Sequence, residues 1–269
     1  MDDMVKRRPK MDTNGYIYET HLHTREASAC SNTPATAYID YMISAGYSGM
    51  IVTDHFFTGN SSIPKDLPWE ERVDCYCRGY ERAKKAASGK DFTVLFGIEY
   101  NFEGDEYLLY GVDKTWLLEN PDILTKSRTE VYKTVHQYGG IMIHAHPYRD
   151  RYYLSTIHLT PSVSDGAEIY NAGNPPWQDA LAYRYVKEHS FLPSAGSDIH
   201  HLTQHTMGGM RFPYPIKTIQ DYVRAFSAGD GTPVFCKDVT DPNEQFRPVE
   251  EEPMFTVISQ QPRLPVVFH

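Results

Sequence analysis

The chain has 269 residues, 41% of them hydrophobic, which is enough for one large domain or two small ones around a sizeable core. Its net charge of -9 excludes broad, nonspecific binding to nucleic acid or acidic membranes but leaves room for a local basic patch that holds a phosphate. The N-terminus MDDMVKRRPK lacks the apolar stretch of a secretory signal, no apolar run approaches a membrane span, and Cys30, Cys75, Cys77 and Cys236 suggest no disulfide framework, so a reduced cytoplasmic protein is expected.

Residues 1–14 read as an N-terminal extension, followed by short apolar segments alternating with helical patterns. A strand is expected at 16–21, running into His21-Leu22-His23. A helix over 34–45 follows the N-capping Thr33 and stops at Gly46. The strand at 49–53 leads into Thr53-Asp54-His55. Residues 68–88 give the clearest helix: Trp69, Val73, Tyr76, Tyr80, Ala83 and Ala87 form one stripe at three- and four-residue spacing, and Pro68 suits the first turn. Strands at 92–98 and 106–110 flank Glu99, and a helix over 128–138 ends at Gly139-Gly140. The strand at 140–144 leads into His144-Ala145-His146-Pro147. Strand 166–170, helix 176–188 and strand 192–195 precede Gly196-Ser197-Asp198-Ile199-His200, and helix 216–227 and strand 233–236 come last. Residues 247–269, rich in proline with two short apolar runs, read as a C-terminal tail packed on the body.

Strand-then-helix alternation implies a parallel sheet with helical crossovers, whose C-terminal strand ends carry the site. Alternate side chains on a strand share a face, so His21 with His23, His144 with His146, and Asp198 with His200 are expected to point together. Imidazoles and carboxylates converging from several strand ends suit Zn, Mn or Fe. First and last strands must meet for this, which a closed barrel achieves more readily than an open sheet. Cys75 and Cys77 stand two apart on a helix, a spacing that does not face one metal, and read as reduced helix cysteines.

In order, HxH, TDH, GxE, AHP and GSDxH resemble the pattern of the PHP (polymerase and histidinol phosphatase) domain family, in its stand-alone bacterial phosphoesterase-like branch. The resemblance covers roughly 16–201. It implies an α/β fold, a distorted (β/α)7 TIM-like barrel forming a single domain over 15–246, with the tail at 247–269 packed on it. It also implies two or three divalent ions held by His21, His23, His55, Glu99, His146, Asp198 and His200, with Glu99 bridging and Asp198, His200 and Glu99 in catalytic positions. The chain departs from the pattern twice. Many members carry an Asp or His shortly after HxH, where this chain reads Thr24-Arg25-Glu26-Ala27-Ser28-Ala29-Cys30, with Glu26 the nearest acid in a different register. Many also carry a histidine about a dozen residues after the GxE glutamate, where this chain has Tyr107-Leu108-Leu109-Tyr110. Two ions are therefore expected before three.

Such a site hydrolyses phosphoesters by attack of a metal-bound hydroxide on phosphorus. Arg149, three residues after His146, is the first candidate for binding substrate phosphate, and Arg151 the second; Lys65 and Arg25 stand further off. His201 and His158 are candidates for the general acid, and Glu168 for a carboxylate supporting the ligands. Long loops at 56–67 and 148–165 carry Phe56, Tyr148, Tyr152 and Tyr153, suited to stacking on a base or sugar. The expected substrate is a small phosphomonoester, a nucleotide or an oligonucleotide end, with no extended nucleic-acid surface and no membrane partner. The alternatives are an amidohydrolase-like enzyme acting on a C–N or C–O bond and a non-catalytic metal-binding module. The former usually needs a bridging lysine on a mid-barrel strand, whereas Lys90 precedes its strand and Lys114 follows one.

Overall fold

The computed structural model describes residues 15–269; the expected extension at 1–14 lies outside the described residues. The fold is mixed α/β. A ten-stranded curled sheet is built from β1 (Tyr16–Glu19), β2 (Gly49–Val52), β3 (Thr93–Phe102), β4 (Asp105–Tyr110), β5 (Ile141–Ala145), β7 (Gly166–Asn171), β8 (Leu192–Gly196), β9 (Met207–Phe212), β10 (Thr232–Cys236) and β11 (Arg247–Pro248). Its spatial order is β11-β10-β9-β1-β2-β3-β4-β5-β7-β8. Two further short strands, β6 (Ile157–Leu159) and β12 (Val266–Phe268), pair with each other and dock the C-terminal residues beside the loop after β5.

Among the described residues six α-helices accompany the sheet: α1 (Tyr38–Ala45), α2 (Trp69–Ala86), α3 (Lys114–Glu119), α4 (Arg128–Gln137), α5 (Pro176–His189) and α6 (Ile219–Ser227). The stripe read for α2 is largely the face it buries, with Val73, Tyr76 and Cys77 in one core cluster with Phe96 and Ile98 of the sheet, and Ala83 in another with Val94. Ser127 and Glu130 cap α4 reciprocally, which fixes where that helix begins. Among the described residues no helix is long and apolar enough to cross a membrane.

The sheet corrects the expectation of parallel pairing throughout. β1, β2 and β3 are parallel, as are β5, β7 and β8, but β4 runs antiparallel to both β3 and β5. The cause is a two-residue turn, Glu103-Gly104, with φ of 55° and 113°. Positive φ at both positions suits the tight turns that join antiparallel strands. β9 and β10 add a second antiparallel unit beside β1. The strand β9 went unread because Gly208-Gly209 is poor strand sequence. A Cβ at Gly209 would lie 2.4 Å from the Tyr18 carbonyl oxygen, so close backbone approach demands glycine there. Beyond the last regular residues of β1 and β8, Leu22 and Ile199 form an isolated parallel bridge, with His23 N donating to Ile199 O at 3.0 Å. That bridge draws the two ends of the β1-to-β8 run together and places the HxH and GSDxH segments side by side.

Candidate metal centre

The residues of the site stand at or just past strand ends. His21 and His23 continue β1, and His55 follows β2 and bridges to Glu99 within β3. His146 follows β5, and Asp198 and His200 follow β8. His146 and Asp198 adopt left-handed backbone, with φ of 29° and 52°. Non-glycine residues rarely enter this region, and the strain costs about 1–3 kcal/mol each. It swings both side chains into the cluster.

Glu99 lies at the centre. Its Oε1 is 3.0 Å from His21 Nε2 and 3.2 Å from His146 Nε2, and its Oε2 is 3.5 Å from His23 Nε2 and in close contact with His55 Nδ1. Asp198 Oδ1 is 3.1 Å from His23 Nε2, 3.5 Å from His21 Nε2 and 3.6 Å from His200 Nδ1. The structure thus gathers His21, His23, His55, Glu99, His146, Asp198 and His200 into one buried pocket.

It also adds Glu106, which the sequence reading passed over. Glu106 Oε2 is 3.5 Å from His146 Nε2 and its Oε1 is 3.8 Å from His55 Nδ1. The hairpin register pairs Glu106 with Asn101, two residues beyond Glu99, so both glutamates face the same side. The signal was the Glu-Gly turn, which folds an acid in 105–110 back onto Glu99.

Hydrogen bonds fix the tautomers of three rings. His21 Nδ1–H donates to Glu168 Oε1 at 2.9 Å, leaving Nε2 to face Glu99. Ser28 Oγ donates to Asp54 Oδ1 at 2.6 Å and so accepts from His23 Nδ1 at 3.1 Å, leaving His23 Nε2 facing inward. His200 Nδ1–H donates to the Asp198 carbonyl at 2.8 Å, leaving the ring's lone pair on Nε2. Glu168 also accepts from His146 N at 2.9 Å and Asn171 Nδ2 at 3.0 Å, so one buried carboxylate orients two segments of the site. Asp54 does the same for the loop after HxH, taking bonds from Thr24 N and Oγ1 as well as Ser28.

The electrostatics follow from crowding these groups out of water. Burial alone raises a carboxyl, yet His55, His21 and His23 hold Glu99 well below the usual range. Burial likewise acts on Asp198 and is outweighed by Arg149 and His21, which hold it well below its usual value. Glu106 is pushed up, first by burial and then by the charge of Glu99. His23 is pushed well down by burial and by the neighbouring His200 and His55.

The residues present fit divalent metal. His21 Nε2, His23 Nε2, His55 Nδ1 and Glu99 Oε2 are all buried with no hydrogen-bond partner. Unpaired buried polar atoms are costly, and a cation facing lone pairs removes that cost. Four triplets have all their donor atoms within 4.8 Å of one another: His21/His23/Asp198, His21/Glu99/His146, His55/Glu99/Glu106 and His23/His55/His200. They share members and form one continuous donor surface.

The structure shares its fold with a two-domain protein containing a predicted PHP-like metal-dependent phosphoesterase from Bacteroides vulgatus, at 15% identity and TM-score 0.63, over 81% of this chain and 64% of that one. The fold is PHP-like. The chain spans about 64% of that protein's length. A proposed metal-dependent phosphoesterase from Bifidobacterium adolescentis is similar at 16% identity and TM-score 0.50, over 70% of this chain and 88% of that one. A sulfate-bound amidohydrolase from Chromobacterium violaceum matches at 13% identity and TM-score 0.50, over 78% and 96%. No family model matches the chain, and neither does any curated protein.

The remaining candidates divide around this donor cluster. Arg149 reaches it, donating to Asp198 Oδ2 at 2.6 Å, Asn171 Oδ1 at 3.0 Å and Asn174 Oδ1 at 3.2 Å. Arg151 is half-buried on the next turn, where its carbonyl accepts from Leu154 N. Lys65 and Arg25 are exposed. His201 stays on the rim, 6.1 Å from the His200 ring and bonded to Asn32. His158 pairs instead with His269 on β6 and the C-terminus. His144 does not share a face with His146: it stacks on Tyr107 at 4.7 Å and meets Tyr185 of α5, on the outer side of the sheet. Glu26 accepts from Ala35 N at 3.1 Å near the entry to α1 rather than joining the cluster. Phe56 is fully buried and Tyr148 half-buried, whereas Tyr152 and Tyr153 are 95% and 66% exposed. Both departures from the PHP pattern fall at the cluster. Glu106 stands on the strand that lacks a histidine, and Cys30, at the end of the altered HxH segment, interacts with the His200 and His55 rings.

Proposed function

We propose that the chain is a metal-dependent phosphoesterase of PHP type, hydrolysing a small phosphomonoester, a nucleotide or an oligonucleotide end. The observation that carries this reading is the meeting of a guanidinium with the donor cluster, Arg149 standing 2.6 Å from Asp198 Oδ2. Support for the barrel comes from the run β1-β2-β3-β4-β5-β7-β8, seven strands whose ends approach at the Leu22–Ile199 bridge.

Divalent ions, when bound, acidify water and offset charge on phosphoryl oxygens. The chain's own groups do the rest. Glu168 keeps the His21 proton on Nδ1, and Ser28 keeps the His23 proton on Nδ1, so both Nε2 lone pairs would be available to hold an ion. Arg149 spends its donors on one carboxylate and two amide oxygens. A phosphoryl group offers the same fork two charged oxygens, and planar guanidinium geometry matches it. Asn171 and Asn174 hold the fork in place for that exchange. An amidohydrolase reading lacks its lysine. Lys90 pairs with Asp40, and Lys114 with Asp74 and Glu81, all with exposed side chains.

The test is turnover of p-nitrophenyl phosphate and nucleotides, beside matched amides and lactones, with Mn, Zn and Fe(II) supplied separately. Phosphate release is expected, and Asp198→Ala and His21→Ala are expected to abolish it while circular dichroism is unchanged. Turnover of amides or lactones alone, or full activity in both variants, overturns the reading.

A further inference from the structure

We infer that Asp179, buried on α5, is a positioning residue that sets the direction in which Arg149 presents its guanidinium; the inference rests on the assignment of Arg149 to substrate phosphate above. Arginine carries five N–H donors in a fixed plane. Arg149 Nε donates to Asn174 Oδ1 at 3.2 Å, and Nη2 donates to Asn171 Oδ1 at 3.0 Å and to Asp198 Oδ2 at 2.6 Å. The two amides therefore hold the Nε–Nη2 edge of the fork. The Nη1–Nη2 edge is turned toward Asp198 and the donor cluster. The loop that carries the amides is closed by Asn174 N, which donates to Asn171 O at 2.9 Å. It passes close to the guanidinium, since a Cβ at Gly173 would lie 3.5 Å from Arg149 Nη2.

An amide holds a guanidinium only with its oxygen turned toward it; flipped, it sets NH2 against N–H. Each of the two amides is oriented by a carboxyl oxygen that also takes a backbone N–H. Glu168 Oε2 accepts from His146 N at 2.9 Å and from Asn171 Nδ2 at 3.0 Å, which turns Asn171 Oδ1 to Arg149. Asp179 Oδ1 accepts from Asn171 N at 3.3 Å and from Asn174 Nδ2 at 3.1 Å, which turns Asn174 Oδ1 to Arg149. A backbone N–H favours the unprotonated oxygen of a carboxyl, so the same orientation holds for the ionised and the neutral acid. Asp179 is 1% exposed, and its Oδ2 is buried with no hydrogen-bond partner. Were packing its only use, an apolar residue of the same shape would avoid that cost. Asp179 thus acts on the fork through Asn174, without itself touching phosphate.

The test measures inorganic phosphate binding to the full chain at saturating Mn by calorimetry, beside KM and kcat for p-nitrophenyl phosphate. Arg149→Ala is expected to weaken phosphate binding by about tenfold or more. Asp179→Leu, close in shape but without the acceptor, is expected to weaken it about tenfold and to raise KM by as much, with kcat changed less and bound Mn per chain unchanged. Asp179→Asn keeps an oxygen beside Asn174 and is expected to recover most of that loss. Asn174→Ala, on a half-buried loop residue, breaks the same link and is expected to match Asp179→Leu, which keeps the test open if the α5 variant does not fold. In an Arg149→Ala background neither change is expected to weaken phosphate further by more than about twofold, whereas a residue acting only on the fold would add its full loss there. Unchanged phosphate binding in Asp179→Leu or Asn174→Ala, or losses that add in the double variants, overturns the inference and leaves the phosphoesterase reading standing. Phosphate binding unaltered in Arg149→Ala, or absent in the wild type, overturns the assignment of Arg149 and the inference together.

Discussion

Glu168 shows how much of the centre depends on a residue that is not itself among the ligands. Its two oxygens accept from three donors: His21 Nδ1, His146 N and Asn171 Nδ2. A glutamine there turns one acceptor into an NH2 group that opposes at least one of these donors. Glu168→Gln is expected to weaken metal affinity about 10–100-fold by misorienting His21. A chelator-competition titration measures this, and unchanged affinity would show that the carboxylate does not position His21. At this scale the sequence was informative wherever a side chain directly follows a strand: HxH, TDH, GxE, AHP and GSDxH all mark residues that the structure brings together. It misled where side-chain direction depends on backbone that no period describes. Equal spacing implied that His144 and His146 share a face, yet left-handed φ at His146 sends the two rings to opposite sides. Glu106 escaped because its position depends on a turn two residues long, not on its distance in sequence from Glu99.

Elements with their own local signals were legible. The stripe, Pro68 and the trailing glycine located α2 to within a residue or two of Trp69–Ala86, and Gly139-Gly140 located the end of α4 to within a residue of Gln137. Elements specified by their neighbours were not: α3 is six residues long, β9 carries paired glycines, and β6 and β12 exist only by pairing with each other. The tail at 247–269 is such a case, since its anchors lie elsewhere in the chain. Asp150, in the loop after β5, accepts from Arg263 N, Nε and Nη2 at 3.0, 3.1 and 2.9 Å. Those hydrogen bonds hold the Asp150 carboxyl below its usual range. A lowered folded-state pKa means that the anchorage is present at neutral pH and fades as pH falls through that lowered value. Asp150→Asn is expected to hasten proteolytic cleavage within 249–265 at neutral pH, and acidification is expected to do the same to the wild type but to change the variant less. Equal cleavage rates for the two proteins at neutral pH would show that β12 alone holds the tail.

For the whole molecule, the centre is the place where distant parts of the chain are tied together. The ligand candidates come from the ends of β1, β2, β3, β5 and β8, and the Leu22–Ile199 bridge joins the first and last of these. Without a cation this junction carries a cost, because His21 Nε2 and His23 Nε2, whose rings carry their protons on Nδ1, are buried with their lone pairs against the carboxylate oxygens of Glu99 and Asp198. An ion that binds these atoms in the folded chain, and not in the unfolded one, stabilises the fold by mass action. At a free concentration 100-fold above its dissociation constant the gain is about 2.7 kcal/mol. For a domain of this size that corresponds to a rise in melting temperature of about 5–10 °C. Zn or Mn added to metal-stripped protein is expected to produce a rise of this order, and excess chelator to reverse it. Asp198→Ala removes the carboxylate that faces His21, His23 and His200, and is expected to lose most of the rise while keeping the melting temperature of the stripped wild type to within a few degrees. The comparison has a definite failing outcome. If the stripped and loaded proteins melt together, the converged side chains are a polar core that needs no ion, and the two ends of the β1-to-β8 run are held by hydrogen bonds and packing alone.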